Sequence, residues 1–202
     1  MLINKISNNY SITTKILLGL IVIKTKLIWK KARIIRSGFS LRGKNMIDLG
    51  AGLTTGCYCR IEAFKSGDDN KMKIVFGERV QLNDYVHISA IDSVTIGNDV
   101  LMASHVYISD NSHGSYKGND EDTSPNIPPI KRPYYVAPVN IGARVWLGEG
   151  VIVMPGVTIG DGAIIGAHSI VNKNIPANTI AVGSPARIVK KWDDDNNKWI
   201  KL

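Results

Sequence analysis

A six-residue repeat is the feature that most limits what this chain can fold into. From Ile141 the sequence divides without a slip into IGARVW, LGEGVI, VMPGVT, IGDGAI, IGAHSI and VNKNIP. An aliphatic residue opens each of these hexads, and the fifth position is valine, alanine, serine or isoleucine. Further hexads open upstream at Leu49, Thr55, Phe76, Leu82, Ile96, Met102 and Ile108. A fixed period of this kind predicts a stacked repeat architecture.

The period of six has a direct structural interpretation. Each hexad can form one short strand and one corner, and three corners return the chain above its starting point. About eighteen residues then make one triangular coil, joined to the next coil about 4.8 Å away by a parallel ladder. The aliphatic positions should stack inside the prism as a continuous core, while Gly, Asn and Asp serve the corners. We therefore predict an all-β fold, a parallel β-helix shaped as a triangular prism of about five coils.

Four longer blocks carry a family resemblance. They are SDNSHGSYKG, SPNIPPIKRP, IGARVWLGEGVIVMPGVTIGDGAIIGAHSIV and IPANTIAVGSPARIVKK. In this order they resemble the hexapeptide-repeat acyltransferases, especially the maltose/galactoside group and the sugar O-acetyltransferases of colanic acid and O-antigen synthesis. The resemblance covers about residues 45–191. It implies a left-handed coil, a homotrimer with shared active sites, and transfer of an acetyl group from acetyl-coenzyme A to a sugar hydroxyl.

A long proline-rich loop interrupts the repeat. Between His113 and Ile141 lie 27 residues that include five prolines, and a loop of this length in a compact domain is usually functional. His113 stands at its start, and a side chain with a pKa near about 6.5 suits proton transfer at neutral pH. The resemblance implies that His113 is the catalytic base and that the loop covers the site. The alternative is a corner histidine that holds the loop. We interpret the other histidines as surface residues: His87, His105 and His168.

The remaining site residues are assigned through the resemblance. Asn83 matches an acceptor-binding position, although a corner asparagine is an equal alternative. The predicted coenzyme A residues are Trp146 beside the active site, Gly148, Gly166 and Ala167 where a ligand can approach the backbone closely, and Lys173, Arg187 and Lys190 at the nucleotide phosphates. Asn172-Lys173-Asn174 departs from the commoner Thr-Lys-Asp, which puts one hydroxyl contact in doubt, and Lys173 and Lys190 could be solvated charges instead.

We predict that no metal is required. The zinc carbonic anhydrases that share this fold use a close His-x4-His pair, whereas seven residues separate His105 from His113.

The positive charge of the chain is confined to its N-terminal segment. Residues 1–47 contain ten Lys and Arg, including Lys5, and no acid, whereas the rest has 15 bases and 17 acids. This distribution argues against a nucleic-acid surface on the main domain.

The apolar run 16–23 is too short to span a bilayer. We predict a helix from about Thr14 to Ile35. This helix would either lie on an anionic membrane surface or pack against the end of the prism or a neighbouring subunit.

These observations predict three parts of the chain. Residues 1–46 form a basic helical segment, residues 47–191 form the β-helix domain with loop 114–140, and residues 192–202 form a tail.

Two cysteines, Cys57 and Cys59, fit a reducing cytoplasm, with peripheral contact at the inner face of the plasma membrane left open. Two other functions stay open, an N-acetyltransferase for a nucleotide-linked amino sugar and a non-catalytic binding scaffold. The acceptor sugar is not defined by the sequence.

Overall fold

The chain forms a left-handed parallel β-helix preceded by an α-helix. The computed structural model describes residues 10–67 and 71–202, so Lys5 lies outside the described residues. Helix α1 spans Ile12–Ile28, and two short 3-10 helices span Lys44–Met46 (η1) and Pro129–Lys131 (η2).

Twenty short strands follow one another along the described chain. The first ten are β1 Ser40–Arg42, β2 Ile47–Asp48, β3 Arg60–Ala63, β4 Ile74–Phe76, β5 Gln81–Leu82, β6 His87–Ala90, β7 Val94–Ile96, β8 Leu101–Met102, β9 Tyr107–Ser109 and β10 Asn111–His113. The others are β11 Tyr134–Val136, β12 Val139–Ile141, β13 Trp146–Leu147, β14 Ile152–Val153, β15 Thr158–Ile159, β16 Ile164–Ile165, β17 Ile170–Val171, β18 Thr179–Val182, β19 Arg187–Asp193 and β20 Lys198–Lys201.

Three parallel sheets make the faces of the prism. Face one contains β2, β4, β7, β12 and β15; face two contains β5, β8, β13, β16 and β18; face three contains β1, β3, β6, β9, β14 and β17. The chain turns from face one to two at edge one, from two to three at edge two, and from three back to one at edge three. Isolated bridges Ile34–Thr54 and Ile159–Ile175 extend the ladders at the two ends. The prism therefore has five complete coils between two partial turns, as the repeat predicted.

The interior is filled by the positions that the hexads assigned to it. Leu147, Val153 and Ile165 open three of the hexads, and each is fully buried. Ser169 is the polar fifth-position residue among the last six hexads. Its hydroxyl donates to the carbonyl of Gly166 at 2.7 Å and accepts from the amide of Gly183 at 3.0 Å. Both contacts compensate the cost of burying a hydroxyl group.

Edge two carries a column of aromatic corner residues. Tyr58, Tyr85, His105 and His168 occupy the fourth hexad position and have φ between 55° and 61°, a left-handed conformation that is unfavourable for side chains with a Cβ. The rings of Tyr58 and Tyr85 stack with centroids 5.3 Å apart, and those of Tyr85 and His105 with centroids 4.9 Å apart. Ring stacking of this kind offsets part of the backbone cost. His105 and His168 thus have a corner role.

Helix α1 is shorter than the sequence pattern suggested. Its N-cap Ser11 accepts from the amide of Thr14 at 3.1 Å, and it ends at Ile28 rather than Ile35. The chain leaves the helix because residues beyond it enter the first turn of the prism, where the amide of Ile35 donates to Thr25 Oγ1 at 3.0 Å. The predicted helix end was therefore wrong. No helix among the described residues is long and apolar enough to cross a membrane.

Candidate active site

His113 lies on a hairpin that leaves the prism at edge three. Strand β10 pairs antiparallel with β11, which sets His113 opposite Tyr134, and the two rings pack with centroids 4.7 Å apart. The His113 side chain is exposed. Its main-chain carbonyl accepts from the hydroxyl of Tyr116, which in turn accepts from Arg132 Nη1 at 2.8 Å. The loop is thus tied to the histidine backbone while the imidazole stays open to a ligand.

Asp110 fixes the base of this hairpin. Its side chain is fully buried, and its carboxylate accepts from the amides of Ile91, Asp92 and Ser93 at 2.7 to 2.9 Å. It also accepts from Asn111 Nδ2 at 2.9 Å. Three amides converging on one carboxylate lock the start of the loop onto the corner of the coil below. The sequence analysis did not single out Asp110, although it lies in the same DNSHG stretch as His113.

A cleft of about 500 Å³ opens below the hairpin at edge three. It is lined by Phe64, Lys65, Ser66, Ile91, Asn111, Tyr134 and Val136. Its volume is in the range of small-molecule sites. Tyr134 belongs to this lining and also packs on His113, so the imidazole stands at one side of the cleft. Edge three therefore combines an exposed imidazole with space for a ligand.

Edge two and face two carry most of the residues predicted to bind coenzyme A. Trp146 begins β13 and is 49% exposed on face two, while Gly148, Gly166 and Ala167 lie at edge two. A Cβ on Gly148 would stand 2.7 Å from the amide nitrogen of Ala167, and one on Gly166 would stand 2.6 Å from Cγ1 of Val182. Gly148 is thus required by the stacking of the coils themselves, independently of any ligand, whereas at Gly166 the side chain of Val182 would have to move to make room.

Main-chain donors are nevertheless open along edge two. The amides of Glu149 and Ala167, each third in its hexad, donate to no acceptor within the described residues. At edge one the equivalent amide of Ala143 donates to Asp161 Oδ1 of the next coil at 2.9 Å. Side chains that could cap Glu149 and Ala167 in this way are missing from the next turns. Unpaired amides at a surface can bind the carbonyl groups of an extended ligand.

A β-bulge brings two cationic side chains to the same side of face two. Arg187 pairs with Val182 and Lys190 with Ile180, while a register shift leaves Val189 without a partner. Without the extra residue, Arg187 and Lys190 would project to opposite sides of the strand. Strand β19 lies three strand spacings from β13 in the sheet order, which is about 14 Å from Trp146.

The predicted residues do not meet within one chain. His113 and Lys173 lie at edge three, Asn83 at edge two, and Trp146 with Arg187 and Lys190 on face two. In a triangular prism, edge three is the one opposite face two. A site that contains all these residues would therefore require a second copy of the chain. This arrangement follows from the hexad register, since His113 closes the third hexad of its coil and Trp146 closes the first hexad of the next coil.

A charged cluster on face three involves His87. Its Nε2 is 3.1 Å from Glu62 Oε2, and its Nδ1 is 3.1 Å from Arg60 Nη2. Arg60 also contacts Glu62, and Arg42 lies 3.5 Å from the same carboxylate. Burial lowers the pKa of His87 and Arg60 lowers it further, against the opposing effect of Glu62. The sequence analysis interpreted His87 as a surface residue and did not detect this cluster.

No group of three or more His, Cys, Asp or Glu side chains among residues 10–67 and 71–202 is arranged to hold a metal ion.

The fold and the loop define the class of this protein as a hexapeptide-repeat transferase. The family model described as "Bacterial transferase hexapeptide (six repeats)" matches residues 138–173. Over 200 residues the chain is 44% identical to WbbJ of Escherichia coli (strain K12), which is assigned to lipopolysaccharide biosynthesis as an O-acetyl transferase, with 99% of this chain and 100% of that protein covered. The chain belongs to the hexapeptide-repeat acetyltransferase family, as its four sequence blocks predicted.

Two further proteins resemble this chain, one in sequence and one in fold. The galactoside O-acetyltransferase of Escherichia coli (strain K12) is 40% identical over 105 residues, which cover 50% of this chain and 46% of that protein. Among solved structures, AntD, an N-acyltransferase from Bacillus cereus crystallised with dTDP and 3-hydroxybutyryl-CoA, superposes with a TM-score of 0.67. Its sequence is 19% identical, with 93% of this chain and 91% of that chain covered. At that identity AntD demonstrates the shared fold alone.

Proposed function

We propose that this protein transfers an acetyl group from acetyl-coenzyme A to a hydroxyl of a saccharide used in cell-surface polysaccharide. The observation that carries the proposal is the exposed His113 beside the cleft at edge three. The full-length relative of this chain is named as an O-acetyl transferase of lipopolysaccharide biosynthesis. Because acetyl-coenzyme A is a cytoplasmic metabolite, we place the reaction in the cytoplasm. Cys57 and Cys59 are both free thiols, which agrees with that compartment.

The reaction needs one proton acceptor next to a bound hydroxyl. His113 removes the proton as the acceptor oxygen attacks the thioester carbonyl, and it returns the proton to the departing thiolate when the tetrahedral intermediate collapses. A base in this position contributes about 10²- to 10⁴-fold in rate. The acceptor occupies the cleft next to Tyr134, and Asn83 contacts it from the other side of the site.

Face two and edge two hold acetyl-coenzyme A in this proposal. Trp146 packs beside the thioester, and the open amides near Gly148, Gly166 and Ala167 bind the carbonyls of the pantetheine arm. Arg187 and Lys190 receive the nucleotide phosphates, because cations at the far end of a 14 Å strip (about three strand spacings) are well placed for an extended cofactor. Charge-assisted hydrogen bonds to phosphate are stronger than neutral ones.

A homotrimer completes the site. Head-to-tail contacts around a threefold axis set one prism's edge three against face two of its neighbour. If the axis is parallel to the prisms, equivalent coils stay at the same height. His113 follows the third coil and Trp146 lies in the fourth, so they differ by about one spacing of 4.8 Å. Lys173 lies two coils above His113 on the same edge and reaches the neighbour's cofactor near its phosphates.

The proposal is tested by product analysis with saccharide acceptors prepared from deacetylated surface polysaccharide. The expected product is an acetyl ester that mild alkali releases, formed at a rate that falls at least about 10²-fold in His113→Ala. Ile130→Ala, at an 82% exposed residue of the same loop, is the matched control and should retain the wild-type rate. An alkali-stable amide product would favour the N-acetyltransferase alternative, and unchanged turnover in His113→Ala would remove His113 from the mechanism.

A further inference from the structure

Helix α1 carries an apolar stripe that the prism does not cover. Five aliphatic residues recur at intervals of four, four, three and four, which places them on one side of the helix. They are between 59% and 77% exposed, and they are Ile12, Ile16, Leu20, Ile23 and Leu27. Leaving five large aliphatic side chains in water along one line is unfavourable. The stripe therefore needs a partner.

The contacts of the helix with the prism lie on its other side and near its C-terminal end. Thr25 is 1% exposed, and its hydroxyl accepts from the amide of Ile35 in the first turn. Lys26 Nζ donates to the carbonyl of Ala32 at 2.8 Å. Just beyond the helix, the rings of Trp29 and Phe39 pack with centroids 5.7 Å apart. The helix is thus fixed to the first-turn end of the prism with the stripe turned away from it.

Cationic side chains border the stripe and identify its partner. At about 100° per residue, Lys15 lies on one side of the stripe and Lys24 on the other, and both are exposed. The segment 1–47 has ten bases and no acid. A second copy of this segment would bring like charges together. A bilayer with anionic headgroups instead offers an apolar interior to the stripe and negative charge to the lysines.

We propose that α1 lies in the plane of an anionic membrane surface, with the apolar stripe immersed and the first-turn end of the prism facing the bilayer. The proposal gives the acetyl transfer of the previous section, on which this step rests, a class of acceptor. His113 follows β9, three strand spacings from β1 of the first turn, which is about 14 Å. The cleft begins closer still, at Phe64 in the first coil. Such a distance suits a saccharide linked to a lipid in the same bilayer.

Co-sedimentation of the full chain with vesicles tests the membrane contact. We expect binding to vesicles of phosphatidylcholine and phosphatidylglycerol at a ratio of about three to one, and weaker binding to phosphatidylcholine alone or at high salt. The variant Lys15→Glu/Lys24→Glu should lower partitioning at least about tenfold. Its matched control, Lys198→Glu/Lys201→Glu, changes the net charge equally on the C-terminal hairpin and should bind as the wild type does.

The apolar contribution has its own pair of variants. Ile16→Ser/Leu20→Ser/Ile23→Ser should lose vesicle binding, whereas a control that removes the same number of exposed apolar side chains elsewhere should keep it. That control is Met72→Ser/Ile200→Ser/Leu202→Ser. Wild-type binding by the stripe variant would overturn the proposal. A lower oligomeric mass of that variant in light scattering would also overturn it, because the stripe would then contact a second copy of the chain. Complete release of the wild-type protein from vesicles by soluble glycerophosphate would overturn it as well.

Activity measurements separate this inference from the proposed function. The stripe variant should acetylate a soluble saccharide at the wild-type rate and a vesicle-embedded acceptor more slowly. Equal loss on both acceptors would overturn the membrane role. Vesicle binding without any acetyl transfer by the wild type would refute the proposed function and leave the membrane contact standing.

Discussion

Mixed trimers of two defective chains provide a direct test of a site shared between protomers. One chain carries His113→Ala, which removes the base at edge three. The other carries Arg187→Glu/Lys190→Glu, which reverses the cations on face two. Loss of the base costs about 10²-fold or more. Loss of two charge-assisted hydrogen bonds, at about 1.5 kcal/mol each, costs about 10²-fold at acetyl-coenzyme A concentrations below KM.

The expected recovery follows from the geometry of a closed ring. Any trimer that contains both chains has one interface where an intact edge three meets an intact face two. A mixed trimer should therefore have about one third of the wild-type activity per chain, whereas either homotrimer should have about one hundredth of it. Co-expression with two different affinity tags and tandem purification isolates the mixed trimers, and acetylation is then measured per chain.

The control uses two differently tagged His113→Ala chains purified in the same way, which should stay at the activity of the single variant. A site contained within one chain predicts no recovery in the mixed trimers either, because every chain then lacks one of its components. Mixed trimers no more active than the homotrimers would refute the argument that edge three and face two belong to one site.

Three further results are expected. Asp110→Asn should lower kcat more than it raises KM for acetyl-coenzyme A, because an amide donor then faces three main-chain donors at the base of the hairpin; steady-state kinetics with both substrates would contradict this if only the cofactor KM moved. The pKa of His87 is lowered in the folded state. The stability that neutral His87 contributes is therefore fully present above the unfolded pKa of about 6.5 and is lost as the pH falls through the folded pKa. Between pH 8 and pH 5 the melting temperature should consequently fall less in His87→Gln than in the wild type. Leu147→Ala, which empties space at a fully buried position, should lower the free energy of unfolding by about 2–5 kcal/mol, and a loss below about 1 kcal/mol in denaturant titration would mean that the coil collapses around the cavity.

The sequence predicted the interior of the prism because burial repeats with the period of the chain. Positions such as Val153 and Ile165 are recognisable from their place in a hexad alone, and the structure buries them. The same register predicts His105 and His168 at corners. A one-dimensional period is sufficient here because each coil contacts only its neighbours in sequence.

Features that break the period were not predictable in this way. The bulge at Val189 shifts the register of an antiparallel strand, and nothing in the spacing of Arg187 and Lys190 indicates it. The early end of α1 depends on the hydrogen bond between Thr25 and Ile35, which is a tertiary contact. The bonds of Asp110 to amides of the coil below are likewise formed only when the prism closes. Such contacts override local propensity.

The number of coils above the loop sets the distance along face two between Trp146 and the cations Arg187 and Lys190. Face two places β16 and β18 between the strand of Trp146 and the strand of Arg187. One additional eighteen-residue coil inserted there would fit the existing ladders and move the cations by a fixed step of about 4.8 Å. The repeat would accommodate this change at little cost to folding, since repeats interact only with their nearest neighbours. In the proposed arrangement of the cofactor, the distance between Trp146 and these cations is therefore set by the number of strands between them rather than by the identity of any one side chain.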